Sequence, residues 1–396
     1  MPLPSTIVIV GAGLAAVTLV QALRRLDYAG ELVVLSGEDA LPYDRPPLSK
    51  DVLRGERDAP LLVEAADWAD LKVDLRLGRR AVAVDPQERV LQLDDGACLS
   101  YDALVVATGA VPRHLPELTG DGVHVLRTRD EATALGDAIR AAGRLVIVGG
   151  GFIGCEVAAS ARALGADVVL LEVLGLPLVR ALGPVVAAEV TAMHVAAGVD
   201  VRAGTAITAV HGTGADRQLE LSDGTTVPGD VVLVGIGVTA DTDWLAGSGI
   251  TLADGVLCDA GGRSSVPGVW AVGDASRWWL PALSAHRRIE HWTNAMEQAE
   301  VVAGNLLGAD AEHDPVPYVW SQQYGVLLQV AGLPAGEDDV TVLRVGPAAD
   351  RLTAVYGRDG RCTGVLVGGA PRVFNRLRKL LATGASYDEA LISAAL

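Results

Sequence analysis

Two stretches of the chain repeat one pattern of apolar and small residues. The β-branched run Ile7-Val8-Ile9-Val10 leads at once into Gly11-Ala12-Gly13-Leu14-Ala15-Ala16, then a helical stretch from Val17 to Leu26, then Leu32-Val33-Val34-Leu35. A strand, a glycine turn, a helix and a second strand in about thirty residues make a βαβ unit, whose parallel strands need the crossover helix. The pattern returns in Leu145-Val146-Ile147-Val148, Gly149-Gly150-Gly151-Phe152-Ile153-Gly154, a helix through Leu164, and Val168-Val169-Leu170-Leu171. This repeat predicts two nucleotide-binding units of one design.

The strand-then-turn segments Ala103 to Gly109 and Val231 to Gly237 flank the second unit and read as the crossings of one domain inserted into another. Val269-Trp270-Ala271-Val272-Gly273-Asp274 brings the chain back to the first unit. After Gly308 the pattern changes, and alternating stretches such as Leu327 to Val330 and Val340 to Val345 predict an antiparallel sheet in a third domain. The expected fold class is α/β, with two Rossmann-type domains and a C-terminal α+β domain. The expected boundaries are 1–108 with 232–308 for the first nucleotide domain, 109–231 for the second, and 309–396 for the C-terminal domain.

Composition narrows the function classes. Half the residues are hydrophobic but aromatics are only 4%, and 46 of 396 are glycine, so the core is built from Ala, Val and Leu with glycine-rich turns. That excludes a disordered or fibrous chain. A net charge of −17 repels nucleic acid and anionic lipid. The four cysteines, Cys98, Cys155, Cys258 and Cys362, stand too far apart for a local metal knuckle or redox pair. No basic segment with a long apolar run opens the chain, and no stretch approaches the length of a membrane span, so a soluble cytoplasmic protein is expected.

A GxGxxG or GxGxxA turn lets the backbone approach a pyrophosphate while the helix N-terminus supplies N–H donors. Gly11 and Gly13 are the candidates in the first unit, and Gly149, Gly151 and Gly154 in the second. Glu172 ends the second strand 23 residues after Gly149, near the spacing at which a carboxylate accepts from an adenosine ribose. A carboxylate there opposes the extra phosphate of NADP, which favours NAD(H), although Arg180 lies slightly downstream. A solvated acid at a strand end is the plain alternative. In the first unit Glu38 is the corresponding ribose candidate.

At this point the sequence resembles a known family. The run Leu41-Pro42-Tyr43-Asp44-Arg45-Pro46-Pro47-Leu48-Ser49-Lys50, both glycine turns, Ala107-Thr108-Gly109, Ala271-Val272-Gly273-Asp274 and Glu290-His291-Trp292-Thr293-Asn294-Ala295 are similar to the NADH-dependent FAD ferredoxin reductases of bacterial oxygenase systems, of the putidaredoxin reductase type. The resemblance covers essentially the whole chain and implies a glutathione-reductase-like fold, with FAD in the first unit, NADH in the second, and the two rings meeting between domains. It places Ala15 and Ala16 near the FAD pyrophosphate and Arg45, Lys50, Val82 and Arg127 along the FAD. Ala107, Thr108, Gly109, Gly237 and Gly273 also fall within its cofactor motifs, as does Ile153 in the second turn. Asp274 falls at the ribityl or phosphate part, and Trp292 and Trp320 fall beside the flavin. Arg127 as a surface charge and Trp292 as a core aromatic are the plain alternatives. Lys50 and Glu156 are expected to pair and orient the hydride step, with Glu156 also able to reach the nicotinamide carboxamide or to complement the helix dipole.

Residues 36 to 60 contain no cysteine, and Cys155 has no partner in sequence, so it reads as a packing residue. Electrons on the flavin then leave for another protein. The chain holds no cysteine set for an iron–sulfur cluster, so the implied acceptor is a separate ferredoxin. Arg287 and Arg288, with Arg372, Arg376, Arg378 and Lys379 on a C-terminal helical stretch, are the candidate docking face. The segment Trp320-Ser321-Gln322-Gln323-Tyr324-Gly325 departs from the family pattern at Gln322, where an acid is usual. The expected reaction is electron transfer from NADH through FAD to a ferredoxin that feeds a haem monooxygenase or ring-hydroxylating dioxygenase. A reductase of rubredoxin or another small carrier, and a flavin- and NAD-binding sensor, remain as alternatives.

Overall fold

The computed structural model describes residues 3–345 and 351–395. They form two compact units: residues 3–44, 60–111 and 238–315 in one, and residues 45–59, 112–237, 316–345 and 351–395 in the other.

In the first unit the apolar runs line up as a five-stranded parallel sheet, in the order Val269–Ala271, Ala103–Val106, Thr6–Val10, Glu31–Leu35, Asp74–Arg76. Ile7 pairs with Leu32 on one side and Ala103 on the other, so the first strand is central and buried. Helices α1 (Leu14–Arg25) and α5 (Trp292–Leu306) pack together against this core. An antiparallel meander, Ala81–Asp85, Val90–Leu93 and Cys98–Ser100, and a three-stranded sheet of Val256–Cys258, Ser276–Leu280 and Ala285–Arg287 complete the unit.

The second unit repeats the design. Its parallel sheet runs Asp200–Ala203, Asp167–Glu172, Arg144–Val148, Val232–Val234, Val123–His124. Helices α2 (Arg129–Ala142), α3 (Phe152–Ala163) and α4 (Val179–Ala196) belong to it. The C-terminal stretch adds the expected antiparallel sheet, in the order Tyr318–Gln323, Val326–Gly332, Arg361–Gly368, Arg351–Arg358, Asp339–Val345, with helices α6 (Pro371–Ala382) and α7 (Tyr387–Ala395). Leu328, Tyr356 and Leu366 of this sheet share one apolar core with Leu145, Ile147 and Leu170. The Tyr356 hydroxyl donates to the Leu182 carbonyl at 2.9 Å. This is the α/β class, with two Rossmann-type sheets and a C-terminal antiparallel sheet with helices, that the sequence pattern predicts.

One expectation is corrected. Helix α4, at 18 residues, is long and apolar enough to pass as a membrane span by length and composition. Gly183, at φ 69 and ψ 168 and followed by Pro184, breaks it in two, and its Leu182, Val186 and Val190 are buried in the second unit's core. One face of it packs into that core.

The helices differ in how their starts are capped. Helix α2 starts with a capping box: the Thr128 hydroxyl accepts from the Glu131 N–H at 3.2 Å, and the Glu131 carboxylate accepts from the Thr128 N–H at 2.8 Å. Helices α1, α3 and α5 begin at Gly13, Gly151 and His291 with no side-chain cap and no acid in the first turn. Their first N–H groups are left for another acceptor.

Candidate cofactor and electron-transfer site

In the first unit, the Gly11 N–H donates to the Leu35 carbonyl at 2.8 Å, tying the turn to the end of its neighbouring strand. Gly11 has φ +104, and a Cβ there would stand 2.2 Å from the Ala107 carbonyl oxygen. Only glycine allows that approach. Gly13, by contrast, has nothing within 4 Å of the position its Cβ would take, so the helix N-terminus opens onto free space. Gly149 repeats the first role, at φ +108 with its would-be Cβ 2.4 Å from the Gly235 carbonyl oxygen, and Gly151 repeats the open one. Gly154 closes the second turn, its Cβ position 2.1 Å from the Gly149 carbonyl oxygen.

Around the first turn, Ala15 and Ala16 are buried at the start of α1, and the Cβ position of Gly273 lies 3.3 Å from Ala15 Cβ. Asp274 is therefore on a short helical turn, Gly273–Ala275, beside the glycine loop. The Thr108 hydroxyl donates to the Asp241 carbonyl at 2.6 Å, fixing the Ala107-Thr108-Gly109 corner. The Glu38 carboxylate accepts from the Tyr43 hydroxyl at 2.6 Å. Trp292 opens α5, its indole N–H donating to Asp44 at 2.9 Å. Next to it, His291 Nδ1 is buried without a hydrogen-bond partner, and burial pulls that imidazole down to about 4, so the ring is neutral at pH 7. Val82 is exposed on the meander.

In the second unit, Glu172 does more than end a strand. Its carboxylate accepts from the Gly150 and Leu174 N–H groups, each at 2.8 Å, clamping the glycine loop. A carboxylate has about four lone-pair positions, so it retains acceptor capacity. Ile153 is 46% exposed at the first turn of α3, an apolar side chain that the core does not use. Gly237 has φ +102 with open space beside it, and Arg180 is exposed on α4. The Arg45 guanidinium donates to the Arg127 carbonyl, bringing both arginines to the entry of α2.

Lys50 and Glu156 form an ion pair, Nζ to Oε2 at 2.6 Å, with side-chain exposures of 12% and 5%. The Ser49 hydroxyl also donates to Glu156 Oε2, and the Ser321 hydroxyl donates to Oε1 at 2.8 Å. Lys50 Nζ also donates to the Pro46 carbonyl at 3.1 Å. Every polar atom of this buried pair is engaged, as burial demands. These contacts pack residues 45–59 with the second unit, and the helix-dipole role for Glu156 gives way to the pair. Trp320 stacks on Tyr318 with ring centroids 5.7 Å apart.

Cys155 is buried, and its thiol is pushed far up, by burial first and then by Glu156 and Glu172. All four cysteines are free. Of the docking candidates, Arg288 is corrected: its side chain is 9% exposed and ion-paired with Asp254 and Glu290, because the adjacent arginine takes the outward position. Arg376 is tied to Ser393, and the Arg378 guanidinium lies 4.9 Å from the Tyr318 ring centroid. Arg287, Arg372 and Lys379 are exposed. Sequence reasoning assigned no role to Ser49, Ser321, Gln323 or His194. The alternation of Tyr318–Gln323, with Ser321 and Gln323 buried and Gln322 exposed, is the signal that singles out two of them.

The residues present fit two dinucleotides: two open helix N-termini, two glycines that admit the backbone, and buried orphan or exposed groups around each turn. The model of the pyridine nucleotide-disulphide oxidoreductase family matches residues 5–299, and the reductase C-terminal family model matches residues 318–395. The chain is 39% identical over 389 residues to the anthranilate 1,2-dioxygenase system ferredoxin–NAD(+) reductase component of Burkholderia cepacia, covering 96% of this chain and 95% of that one. Among solved structures it is similar to the ferredoxin reductase for the CYP199A2 system from Rhodopseudomonas palustris (TM-score 0.92, 32% identity, 98% and 97% of the two chains). It is also similar to a chain of the covalent putidaredoxin reductase–putidaredoxin complex (TM-score 0.90, 32% identity, 95% and 93%).

Proposed function

The chain belongs to the pyridine nucleotide-disulphide oxidoreductase family, and from that membership we infer that it is an FAD-dependent NADH:ferredoxin oxidoreductase. It passes electrons from NADH to a separate iron–sulfur ferredoxin, which feeds a haem monooxygenase or a ring-hydroxylating dioxygenase. One NADH and two oxidised ferredoxins give NAD, a proton and two reduced ferredoxins. The observation that carries this reading is the pair of uncapped glycine turns, one at the start of each nucleotide-binding helix.

Bound FAD supplies the chemistry, taking two electrons from NADH together and releasing them singly. The protein supplies binding and position. Backbone N–H groups at Gly13 and Gly151 would hold the two pyrophosphates, with Arg45 and Arg127 neutralising charge. Glu172 would favour NADH over NADPH by opposing a 2′-phosphate. Lys50, fixed by Glu156, would hold its ammonium in place for the hydride step. Of the candidate docking residues, Arg287 in the first unit, and Arg372 and Lys379 in the second, are exposed and available to an acidic carrier on a chain of net charge −17. Four free thiols support a cytoplasmic, reducing location.

A coupled assay tests the reading. NADH-dependent cytochrome c reduction should require both this protein and an added iron–sulfur ferredoxin. Equal rates with rubredoxin would move the assignment to that carrier, and no rate with either would favour a sensor.

A further inference from the structure

The pair Lys50–Glu156 is the near end of a longer hydrogen-bonded chain within the second unit. Ser321 Oγ donates to Glu156 Oε1 at 2.8 Å, and Gln323 Nε2 donates to Ser321 Oγ at 3.0 Å. Gln323 Oε1 lies 3.0 Å from His194 Nε2, and His194 Nδ1 lies 2.7 Å from the Tyr324 hydroxyl. Ser321, Gln323 and His194 are completely buried. We propose that Tyr324, His194, Gln323 and Ser321 are positioning residues, a one-way chain of donors that orients the Glu156 carboxylate and through it fixes the Lys50 ammonium.

Chemistry allows one polarity for this chain. The Tyr324 hydroxyl donates to His194 Nδ1, which leaves the proton on Nε2 to donate to the Gln323 carbonyl oxygen. The Gln323 amide then donates to Ser321, whose own proton points to Glu156. Burial pulls the His194 imidazole down to about 4, so the neutral ring that this polarity needs is the form present at pH 7. An amide relays a proton only through an unstable imidic acid, so the chain orients and does not conduct.

The far end shows strain of the kind held at functional sites. Tyr324 and Gly325 form the two-residue turn between the strands Tyr318–Gln323 and Val326–Gly332, with φ of 51 and 76. Such turns favour Asn-Gly, and a tyrosine at positive φ is an outlier. Its contacts to His194, the hydroxyl bond and an edge-on ring packing at 5.2 Å, hold it there. The exposed Gln322 takes no part.

The inference rests on Lys50 serving the hydride step, and the chain's lysine content gives a test that separates the two. Only Lys50, Lys72 and Lys379 are present, and the last two are exposed. Trace acetylation of the FAD-loaded full chain with acetic anhydride, read peptide by peptide, reports how firmly Lys50 is held against two internal references. Ser321→Ala and Tyr324→Phe should raise Lys50 labelling about three- to tenfold relative to Lys72, the range for one ordinary lost hydrogen bond. Ser321→Thr should restore the wild-type ratio. Flavin reduction at saturating NADH should slow by a similar factor in the two variants, with KM for NADH little changed. Lys50 labelling unchanged in both variants, while Glu156→Gln raises it, would overturn the proposal. Failure of NADH to reduce the wild-type flavin would sink the reductase reading instead, and the labelling ratios would still decide the chain.

Discussion

Removing one charge of the Lys50–Glu156 pair should cost far more than removing both. At 2.6 Å and an effective dielectric constant of about 20, the gross attraction is about 6 kcal/mol. Desolvation of two groups exposed by only 12% and 5% offsets much of it, so the intact pair adds little net stability. The position changes when one partner goes. Glu156→Gln leaves a buried ammonium with the Pro46 carbonyl and the Ser49 hydroxyl as remaining acceptors, and turns two hydroxyl donors toward a neutral amide. The expected loss is about 3–5 kcal/mol, the range for an orphaned buried charge, and Lys50→Met should lose a similar amount. The double variant, with no net charge left in the site, should recover most of it. Urea unfolding of the four proteins followed by tryptophan fluorescence closes the cycle. Single losses below about 1 kcal/mol that simply add would mean that water reaches the pair and that it is worth no more than a surface bridge, which would refute the reasoning.

Three further outcomes are expected. Gly11→Ala should expel FAD and destabilise the fold, because its Cβ collides with the Ala107 carbonyl; Gly13→Ala meets no protein atom, so it should keep the fold and weaken FAD retention alone, as flavin content against thermal midpoint will show. Glu172→Ser should narrow the ratio of kcat/KM for NADH over NADPH, and should raise KM for both because the Gly150 and Leu174 N–H groups lose their acceptor. His194, His291 and His313 are each pulled to about 4 by burial, below the usual histidine value near 6.5. The unfolded chain therefore binds protons first as pH falls, so the stability these rings contribute is full above about 6.5 and is lost between there and about 4, at up to about 1.4 kcal/mol per pH unit for each ring. Urea midpoints across that range check this, and His194→Asn should flatten the slope by one ring's share.

The inner strands of the two parallel sheets were legible because they are short apolar runs closed by a glycine turn; the edge strands Asp74–Arg76, Asp200–Ala203 and Val123–His124 carry no such run and were not read. The C-terminal sheet was legible from its alternation. The Lys50–Glu156 pairing joins positions 106 residues apart, and it came from family resemblance alone, since nothing local connects them. The chain beyond it was not legible at all. His194 meets Gln323 across 129 residues, and on a mostly apolar helix a histidine looks like any other. Two errors had local causes. Adjacent Arg287 and Arg288 read as one basic patch, but only Arg287, the last residue of its strand, faces solvent, and Asp254 and Glu290 hold the Arg288 side chain inside. The apolar stretch 179–196 went unnoticed as a span because Gly183-Pro184, Arg180 and Glu189 interrupt it.

Anaerobic stopped-flow tests the central claim most directly. The purified, FAD-loaded protein is mixed with NADH or NADPH while the flavin band is followed, and then with an oxidised iron–sulfur ferredoxin. The account predicts rapid bleaching by NADH, slower bleaching by NADPH, and return of the band as ferredoxin is reduced at two equivalents per flavin. A flavin that NADH bleaches but ferredoxin cannot restore would contradict it.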